Sequence, residues 1–427
     1  MRRIFMVLVV LGIVVTVVPP AMATNGDNLM SIGPISRAMG GVGIAAPQDA
    51  ISAVFSNPAA MCFGPYCPGS EFNFAGTLFM PKVDARVNVG GLDISAKSDD
   101  KVYAIPAIGL SVPITNTFPL WRFGLAAYGA SGLGVDYRNT SIDQPHFYNF
   151  GPMGQFPLVA GEYTQLQIMK FAPSIAYQPN EKFSLGLAVH IDYANLDLRS
   201  GSSHNYALGA QLGAIYKVTD NISLGATYTS PQSVNHKNVN DFDGDGVADN
   251  LKLESPQQVG FGIAFEPMKG ALLLEADAKW INWQNATGYD DFDWKNQWVF
   301  AVGAQYKPTK QLALRVGYNY GNNPVREHNG FVGATPTGPA MTSVQGKSMP
   351  VYYYETFRII GFPAIVKQHL SFGIGYDVSK TFAINAGYTH AFKEKIKESG
   401  TNMAGQPVTL ESNLSENSLE FGFTWRF

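Results

Sequence analysis

An acidic run in the second half of the chain has the composition of a calcium-binding loop. Residues 241–252 read DFDGDGVADNLK. Alternating carboxylates, followed by a backbone carbonyl and a further carboxylate, are oxygen ligands spaced to surround Ca²⁺. The last position holds Lys252, so the bidentate Glu of an EF-hand is missing, and the alternative is a solvated acidic turn. We predict a weak structural calcium site formed by Asp241, Asp243, Asp245, Val247 and Asp249.

Apart from this acidic run, the sequence contains no motif typical of catalysis and no basic cluster typical of nucleic-acid binding. The motifs G-x-S-x-G and H-E-x-x-H are both absent, and the seven His residues are scattered without metal-ligand spacing. The net charge is −3 and basic residues do not cluster, which argues against a nucleic-acid partner. We therefore expect neither an enzyme nor a nucleic-acid-binding protein.

The N-terminus has the composition of an export signal. Two Arg residues precede an apolar run over residues 4–18, and Ala21-Met22-Ala23 supplies a site for signal peptidase. A membrane anchor is the alternative, but the run is shorter than the roughly 17–25 residues of a spanning helix. We predict that residues 1–23 are removed and that the mature chain begins at Thr24.

Cys62 and Cys67 are the only cysteines of the chain. An even number of cysteines in an exported protein favours a disulfide, and Gly64-Pro65 between them can form the turn that it needs. Two cysteines supply too few ligands for a metal site. We predict a Cys62–Cys67 disulfide.

Most of the mature chain alternates between large apolar and small or polar residues. In the segment 183–192 the apolar members are Phe183, Leu185, Leu187, Val189 and Ile191. This period of two predicts β-strands with one apolar face. The polar members are Gly, Ser, Thr and charged residues, which fits a wall with lipid outside and water inside.

About 14 such segments follow one another between residues 70 and 427, and some are joined by short turns and others by long loops. We predict an all-β fold, a transmembrane antiparallel barrel, because closure is the way for a sheet to cross a bilayer without unpaired edges. A secreted β-sandwich or propeller is the alternative, but it does not need aromatic residues on the outer face of nearly every strand.

Residues 24–69 precede the first strand and differ from the rest of the chain. They are rich in Gly and Ala, and they contain the run Arg37–Ala45 (RAMGGVGIA) and the triplet Asn57-Pro58-Ala59. Gly40, Gly41 and Gly43 allow close backbone packing, and Pro58 keeps Asn57 out of the helical region. We predict a folded plug, here called the hatch; a disordered tail is the alternative.

These motifs resemble the N-terminal hatch of the FadL-type outer-membrane transporters, which take up long-chain fatty acids or aromatic hydrocarbons. Further similarity lies in residues 128–137 (YGASGLGVDY), in residues 365–373 and in the terminal Trp425-Arg426-Phe427. The resemblance implies passive uptake of a hydrophobic ligand, which could be a fatty acid, an alkane or a monoaromatic compound. It also implies a hatch that moves locally and lateral release beside a kinked third strand. It also implies that the terminal Phe427 is recognised by the barrel-assembly machinery.

The resemblance assigns candidate residues to each step. The hatch candidates are Gly40, Gly41, Gly43, Phe55, Asn57, Pro58 and Ala59, and the lateral-opening candidates are Gly124, Gly129, Gly132 and Gly134. Arg199 and Arg315 could meet a ligand carboxylate or belong to a structural charge ladder. Residues 321–325 (GNNPV) are closer to the hydrocarbon branch of the family, which argues against a carboxylate ligand. A general porin, or a surface receptor or adhesin on the same barrel, is the alternative function.

Overall fold

The structure, a computed structural model, describes residues 24–65, 67, 69–99, 102–144, 146–147 and 155–427. The predicted signal peptide lies outside the described residues. Within the described part of the chain, no helix has the length and apolar character needed to cross a membrane.

Fourteen antiparallel strands form one closed barrel, which confirms the predicted fold class. The second strand is divided into two segments, and both of them pair with the first strand. The strands are β1 (Glu71–Val89), β2 (Leu92–Lys97 and Tyr103–Pro113), β3 (Leu120–Asp136), β4 (Tyr163–Asn180), β5 (Phe183–Asp197), β6 (Ser202–Thr219), β7 (Ile222–Thr229), β8 (Gln258–Met268), β9 (Leu272–Ile281), β10 (Gln297–Tyr306), β11 (Leu312–Gly321), β12 (Gln368–Asp377), β13 (Phe382–Thr401) and β14 (Pro407–Arg426).

The barrel closes between its first and last strands. β14 pairs with β1 over their full lengths, from Arg426 opposite Glu71 to Val408 opposite Val89. Turns of a few residues join strands at one rim, here called the short-turn rim. The connections 137–162, 230–257, 282–296 and 322–367 lie at the other, the long-loop rim. Closure leaves no continuous sheet edge in contact with lipid.

Alternation along β5 shows how the sequence pattern produces the wall. Leu185, Leu187 and Val189 are 45%, 40% and 43% exposed on the outer face, whereas His190 and Asp192 are buried in the lumen. In a bilayer the outer face contacts acyl chains, so this exposure does not cost hydrophobic free energy.

The first described residues lie inside the barrel. They form a hairpin (Thr24–Asn25 with Asn28–Leu29), the helices α1 (Pro34–Ala38) and α2 (Ala50–Ser56), and a 3₁₀ turn (Pro58–Cys62). Asp49 caps α2, since its carboxylate accepts from the Ser52 N–H at 2.9 Å. Nearly all residues from 24 to 62 are buried.

Smaller elements cover the long-loop rim. The connection 322–367 contains α3 (Val351–Thr356), a π-helical turn (Phe357–Gly361) and two short hairpins. The short strands are Gln232–Asn240 with Asp249–Ser255, Ala334–Thr335 with Gly338–Pro339, Met341–Val344 with Lys347–Pro350, and His146–Phe147 with Gln155–Phe156; a 3₁₀ turn spans Trp283–Asn285.

Inward-facing glycines bring the barrel wall into contact with the hatch. A Cβ on any of ten glycines, which lie on nine different strands, would lie less than 3.0 Å from a hatch atom. They are Gly109, Gly124, Gly186, Gly213, Gly225, Gly260, Gly262, Gly303, Gly317 and Gly373. The alternating pattern therefore places glycine at the level where the backbones of wall and hatch meet.

Candidate functional site

Asn57 fixes the turn at the floor of the lumen. It lies between α2 and the 3₁₀ turn, and Pro58 occupies the first position of that turn. The Asn57 side-chain oxygen accepts from the Ala59 N–H at 3.1 Å. Its amide group donates to Ile44 O at 2.7 Å within the hatch and to Ala214 O at 3.1 Å on β6. One buried side chain therefore joins the turn, the glycine-rich loop and the wall.

Further wall contacts hold the residues around Asn57. The Ser184 hydroxyl on β5 donates to Ala59 O at 2.7 Å. Gln211 on β6 donates to the carbonyls of Phe55 and Ser56 at 3.0 and 3.2 Å. These bonds satisfy backbone groups at the end of α2 that the helix leaves unpaired.

Two carboxylates of β9 hold the glycine-rich loop. Asp277 accepts from the N–H groups of Gly43 and Ile44 at 2.9 and 3.1 Å. Glu275 accepts from the N–H groups of the next two residues, Ala45 and Ala46, at 2.8 and 2.9 Å. Four consecutive backbone N–H groups of the loop thus donate to carboxylates on one strand. These hydrogen bonds stabilise the two buried carboxylates in the absence of water.

Gly40 and Gly41 adopt positive φ angles of 74° and 85°. A Cβ on Gly40 would lie 2.7 Å from the backbone of Tyr318, and Gly40 O accepts from Asn319 at 3.0 Å. Gly43 packs against Ser56 of the hatch itself. The close approaches that the sequence predicts for these glycines are therefore to the wall at β11 and within the hatch.

A charged pair attaches α1 to the opposite wall. The Arg37 Nε donates to Glu420 on β14 at 2.8 Å, and both side chains are fully buried. The other two nitrogens donate to Ser31 O at 3.1 Å and to the Ser418 hydroxyl at 2.8 Å. All arms of the guanidinium are therefore used within the lumen.

The hairpin of residues 24–29, here called the gate hairpin, reaches the third barrel strand. Asn28 pairs with Ser131 of β3. Asp27 O accepts from the Gly132 N–H at 3.0 Å and from the Ser131 hydroxyl at 3.1 Å. The hatch thus completes part of the hydrogen bonding of this strand.

The gate hairpin occupies a position where the wall is interrupted. Pairing of β2 with β3 stops at Ala107 and Tyr128, although β3 continues to Asp136. The β3–β4 register shifts between Gly129 and Ser131, as at a β-bulge. Among the described residues, β2 and β3 form no further ladder pair beyond Ala107 and Tyr128. Contact returns only at the end of β3, where Asp136 O accepts from the Asp99 N–H and the Asp136 N–H donates to the Ser98 hydroxyl, both at 2.9 Å.

The four glycine candidates for a lateral opening lie in different surroundings. Gly124 faces the hatch, where a Cβ would contact Met61 and Val54. Gly129 lies at the register shift against Ile105 of β2, and Gly134 lies beside the Tyr103 hydroxyl. Gly132 bonds to the gate hairpin. The structure groups Gly129, Gly132 and Gly134 along the interruption and places Gly124 at the hatch instead.

Aromatic side chains from the connection 282–296 cover the gate hairpin. Trp283, Tyr289 and Trp294 pack with ring centroids 4.6–5.0 Å apart. Gly26, with φ 65°, lies under them, because a Cβ there would be 2.7 Å from the Trp283 ring. The Tyr289 hydroxyl donates to the Asp27 carboxylate. The gate hairpin therefore connects the loops at the long-loop rim to the interruption beside β3.

An internal cavity of about 80 Å³ lies between the hatch, the gate hairpin and the wall. Phe55 and Tyr128 line it, with an edge-to-face contact at 5.3 Å. Lys170 on β4, His190 on β5 and Lys279 on β9 also line it. These three residues were not predicted from the sequence, although polar residues at inward-facing positions of strands indicate that they lie in the lumen.

The two lysines of the cavity have partial counter-charges. The Lys170 ammonium lies 3.4 Å from Asp192 and donates to Gln232 at 2.7 Å. Lys279 donates to Met30 O of the hatch at 3.4 Å. Lys170 also lies 3.3 Å from His190 Nδ1, so its three donors have partners, and it can bond to an entering anionic or polar group by exchanging one of them. The Lys279 ammonium can bond to such a group with a further donor.

Neither arginine selected from the sequence lines this cavity. Arg199, at φ 67° in the β5–β6 turn, pairs with Asp143 and with Glu162 at 2.9 Å on the long-loop rim. Arg315 donates to Gln305 at 2.7 Å and to Asn385 at 3.0 Å across the wall of neighbouring strands. These contacts correspond to the alternative given above, a structural charge and hydrogen-bond ladder.

The predicted disulfide is absent from the structure, in which Cys62 and Cys67 are both free thiols. Cys62 is the last residue of the buried 3₁₀ turn. Cys67 follows the turn and is half-buried, and its backbone N–H donates to Gly64 O.

The acidic loop brings together three of its predicted ligands. Carboxylate oxygens of Asp241, Asp243 and Asp249 lie within 4.8 Å of one another. Asp245 lies outside this group, and the Val247 side chain is exposed. The Lys347 ammonium is bonded to Asp249 at 2.7 Å and to Asp243 at 3.2 Å, so a protein cation already offsets part of the negative charge of the cluster.

A closed barrel with an apolar outer face, filled by its own N-terminal segment, defines a channel protein of the outer membrane. The chain belongs to the family described as outer membrane protein transport protein (OMPP1/FadL/TodX), whose model matches residues 12–204 and 195–336. Membership makes it a transport channel of the bacterial outer membrane and not an enzyme, and it confirms the resemblance. Comparison with curated protein sequences finds no match.

Several solved structures share this architecture. The toluene transporter TodX of Pseudomonas putida is 19% identical, with 93% of this chain and 99% of TodX covered and a TM-score of 0.64. A FadL homologue of Pseudomonas aeruginosa is 16% identical, with 95% and 99% covered and a TM-score of 0.66. The toluene transporter TbuX of Ralstonia pickettii is 15% identical, with 93% and 99% covered and a TM-score of 0.60. These similarities establish the shared fold.

Proposed function

We propose that this protein is a passive channel that takes up hydrophobic molecules and releases them sideways, between β2 and β3. The observation that carries the proposal is the gate hairpin, which bonds to β3 where the pairing with β2 stops. A lateral exit delivers an apolar molecule to the membrane interior without exposing it to water, which is favourable by about 25 cal/mol per Å² of apolar surface.

Gating in this proposal is a local movement of the hatch. The cavity of about 80 Å³ is too small for a long-chain ligand, so the gate hairpin has to move when one enters. The hairpin is bonded to the aromatic loop cluster through Asp27 and Tyr289. A ligand that separates the aromatic rings breaks this bond, and the hairpin is then held by its bonds to β3 and by those of Thr24 to Glu416.

Two classes of substrate suit the site. Lys170 and Lys279 favour a long-chain fatty acid, because its carboxylate could bond to either ammonium. Monoaromatic hydrocarbons are the second candidate, supported by the GNNPV loop and by the similarity of the fold to the toluene transporters TodX and TbuX. Mutation separates the two: Lys170→Met with Lys279→Met should weaken binding of palmitate and leave binding of toluene unchanged. Equal loss for both ligands would show that the lysines only support the lumen.

The lateral exit is tested with a disulfide across the interruption. Ile105→Cys with Gly129→Cys joins β2 to β3 where a Cβ on Gly129 would touch the Ile105 side chain. The matched control, Leu110→Cys with Leu125→Cys, joins two residues that are already paired on these strands. Cys62 and Cys67 are replaced by Ser in both variants.

We expect oxidation to abolish uptake of a radiolabelled hydrophobic substrate in the first variant and reduction to restore it. The control variant should transport equally in both states. Full uptake by the oxidised first variant would overturn lateral release and favour the general-porin alternative.

A further inference from the structure

Glu416 of β14 is a buried carboxylate whose hydrogen-bond donors come from the first residue of the gate hairpin. The Thr24 hydroxyl donates to its two oxygens at 3.1 and 3.0 Å. Thr24 is 2% exposed and Glu416 is 4% exposed, so the contact is closed to solvent.

The basic side chains around Glu416 do not supply a counter-ion. Across the described part of the chain, no Lys or Arg forms an ion pair with it within 4.0 Å. Arg37 is the nearest candidate, but its guanidinium is used by Glu420, Ser418 and Ser31 O. This part of the lumen therefore holds two buried carboxylates and one guanidinium. A buried carboxylate without a cation is costly.

We propose that the missing cation is the α-ammonium group of Thr24, created when the signal peptide is removed after Ala23. Cleavage converts the neutral amide nitrogen of Thr24 into a group with a full positive charge and three donors. The hydroxyl of the same residue already bonds to Glu416, so the new ammonium group forms next to this carboxylate. Removal of the signal peptide thus creates a charged N-terminus that binds to the buried Glu416.

This ion pair ties export to gating. Thr24 begins the gate hairpin, and Asn28 at its far end pairs with β3. Fixing the first residue of a hairpin restricts the whole hairpin, so the processed chain holds the lateral interruption closed more firmly than an unprocessed chain. This consequence rests on the proposed function, whereas the ion pair itself does not.

The test measures the chemistry of the amine and needs no transport substrate. Intact-mass analysis first establishes the N-terminal residue of the protein purified from outer membranes. The folded protein in detergent is then treated with sulfo-NHS acetate at about pH 7, below the ordinary α-amino pKa of about 7.7–8.0. Mass spectrometry of the N-terminal peptide follows acetylation of Thr24.

We expect the amine to react more slowly in the folded protein than in protein unfolded in urea. Glu416→Gln should speed the reaction about tenfold, since loss of the carboxylate lowers the amine pKa by about one unit and frees the reactive base. The matched control is Glu411→Gln on the same strand, which breaks an ion pair with Lys395 at 2.6 Å and should leave the rate unchanged.

A second variant keeps the proposal testable if Glu416→Gln does not fold. A Gly inserted between Ala23 and Thr24 moves the amine by about 3.3–3.6 Å, away from Glu416. Its amine should react faster than the wild-type amine, and Glu416→Gln added to it should change nothing. A mature chain that begins at another residue, or a wild-type amine that reacts as fast as in the unfolded protein, would overturn the ion pair. Neither result would bear on lateral release.

Discussion

The amide oxygen of Asn57 lies in the space that a Cβ on Gly213 would occupy. The Asn57 side chain of the hatch turn therefore packs directly on the backbone of β6 at this point. The same side chain donates to Ala214 O, the next residue of β6. The close contact with Gly213 and the hydrogen bond to Ala214 together mean that the position of the hatch depends on a glycine at position 213.

Replacement of Gly213 by Ala should displace the hatch. The added methyl group overlaps Asn57, and such overpacking costs about 1–3 kcal/mol. We expect frequent open events in single-channel recordings of folded Gly213→Ala. Gly76→Ala is the control, because no atom lies within 4 Å of a Cβ there. Closed recordings for both variants would contradict the tight contact.

Asn57→Ala should reduce uptake without opening the channel. It removes three side-chain hydrogen bonds, each contributing about 0.5–1.5 kcal/mol, but leaves the wall contacts of Ser184 and Gln211 in place. We expect uptake of a hydrophobic substrate to fall while recordings stay closed; Asn221→Ala in an exposed turn should have no effect. An open channel would mean that the hatch is a simple plug, and normal uptake would remove Asn57 from the transport path.

His328 should make the outer loops sensitive to pH. Its ring nitrogens bond to Glu355 at 2.9 Å and to Asp293 at 2.8 Å, which joins the connections 322–367 and 282–296. The bond to Glu355 is the main cause that raises the pKa of His328, against burial and the opposing charge of Arg358. The raised pKa means that the protonated ring stabilises the folded loops.

This stabilisation is complete below the ordinary pKa of about 6.5 and is lost as the pH rises through the higher folded value. We expect protease cleavage of the connection 322–367 to accelerate over that interval in wild type and to be insensitive to pH in His328→Gln. The same pH dependence in both proteins would assign it to another group.

The acidic loop should bind calcium only weakly, with a dissociation constant in the range of about 10⁻⁴–10⁻³ M. Calcium has to displace the Lys347 ammonium from Asp243 and Asp249. Lys347→Met should therefore tighten binding, measured by calcium-dependent protection of the loop from protease. Asp243→Asn with Asp245→Asn should abolish the protection. Equal cleavage of the wild-type loop with and without calcium would show that the loop does not bind calcium.

Deletion of Phe427 should lower the amount of folded barrel in the outer membrane while export continues. Phe427 is 68% exposed on the outer face, and its backbone exchanges two hydrogen bonds of 3.1 Å with Ser70, where the barrel closes. Heat-modifiable mobility on a gel measures the folded fraction. Deletion of Lys380 from an exposed turn serves as control, and unchanged surface levels without Phe427 would argue against a role in assembly.

The sequence by itself determined the barrel, because large apolar residues that face lipid alternate with small or polar residues that face the lumen along each strand. It also identified the Asn57 turn, since Asn and Pro act on the backbone next to them. Contacts between distant strands were decided only by the tertiary structure. Alternation places Arg315 and Lys279 equally inward, but the height of each residue relative to the hatch puts only Lys279 in the cavity. For the same reason Gly124 packs on the hatch while Gly129 lies at the interruption.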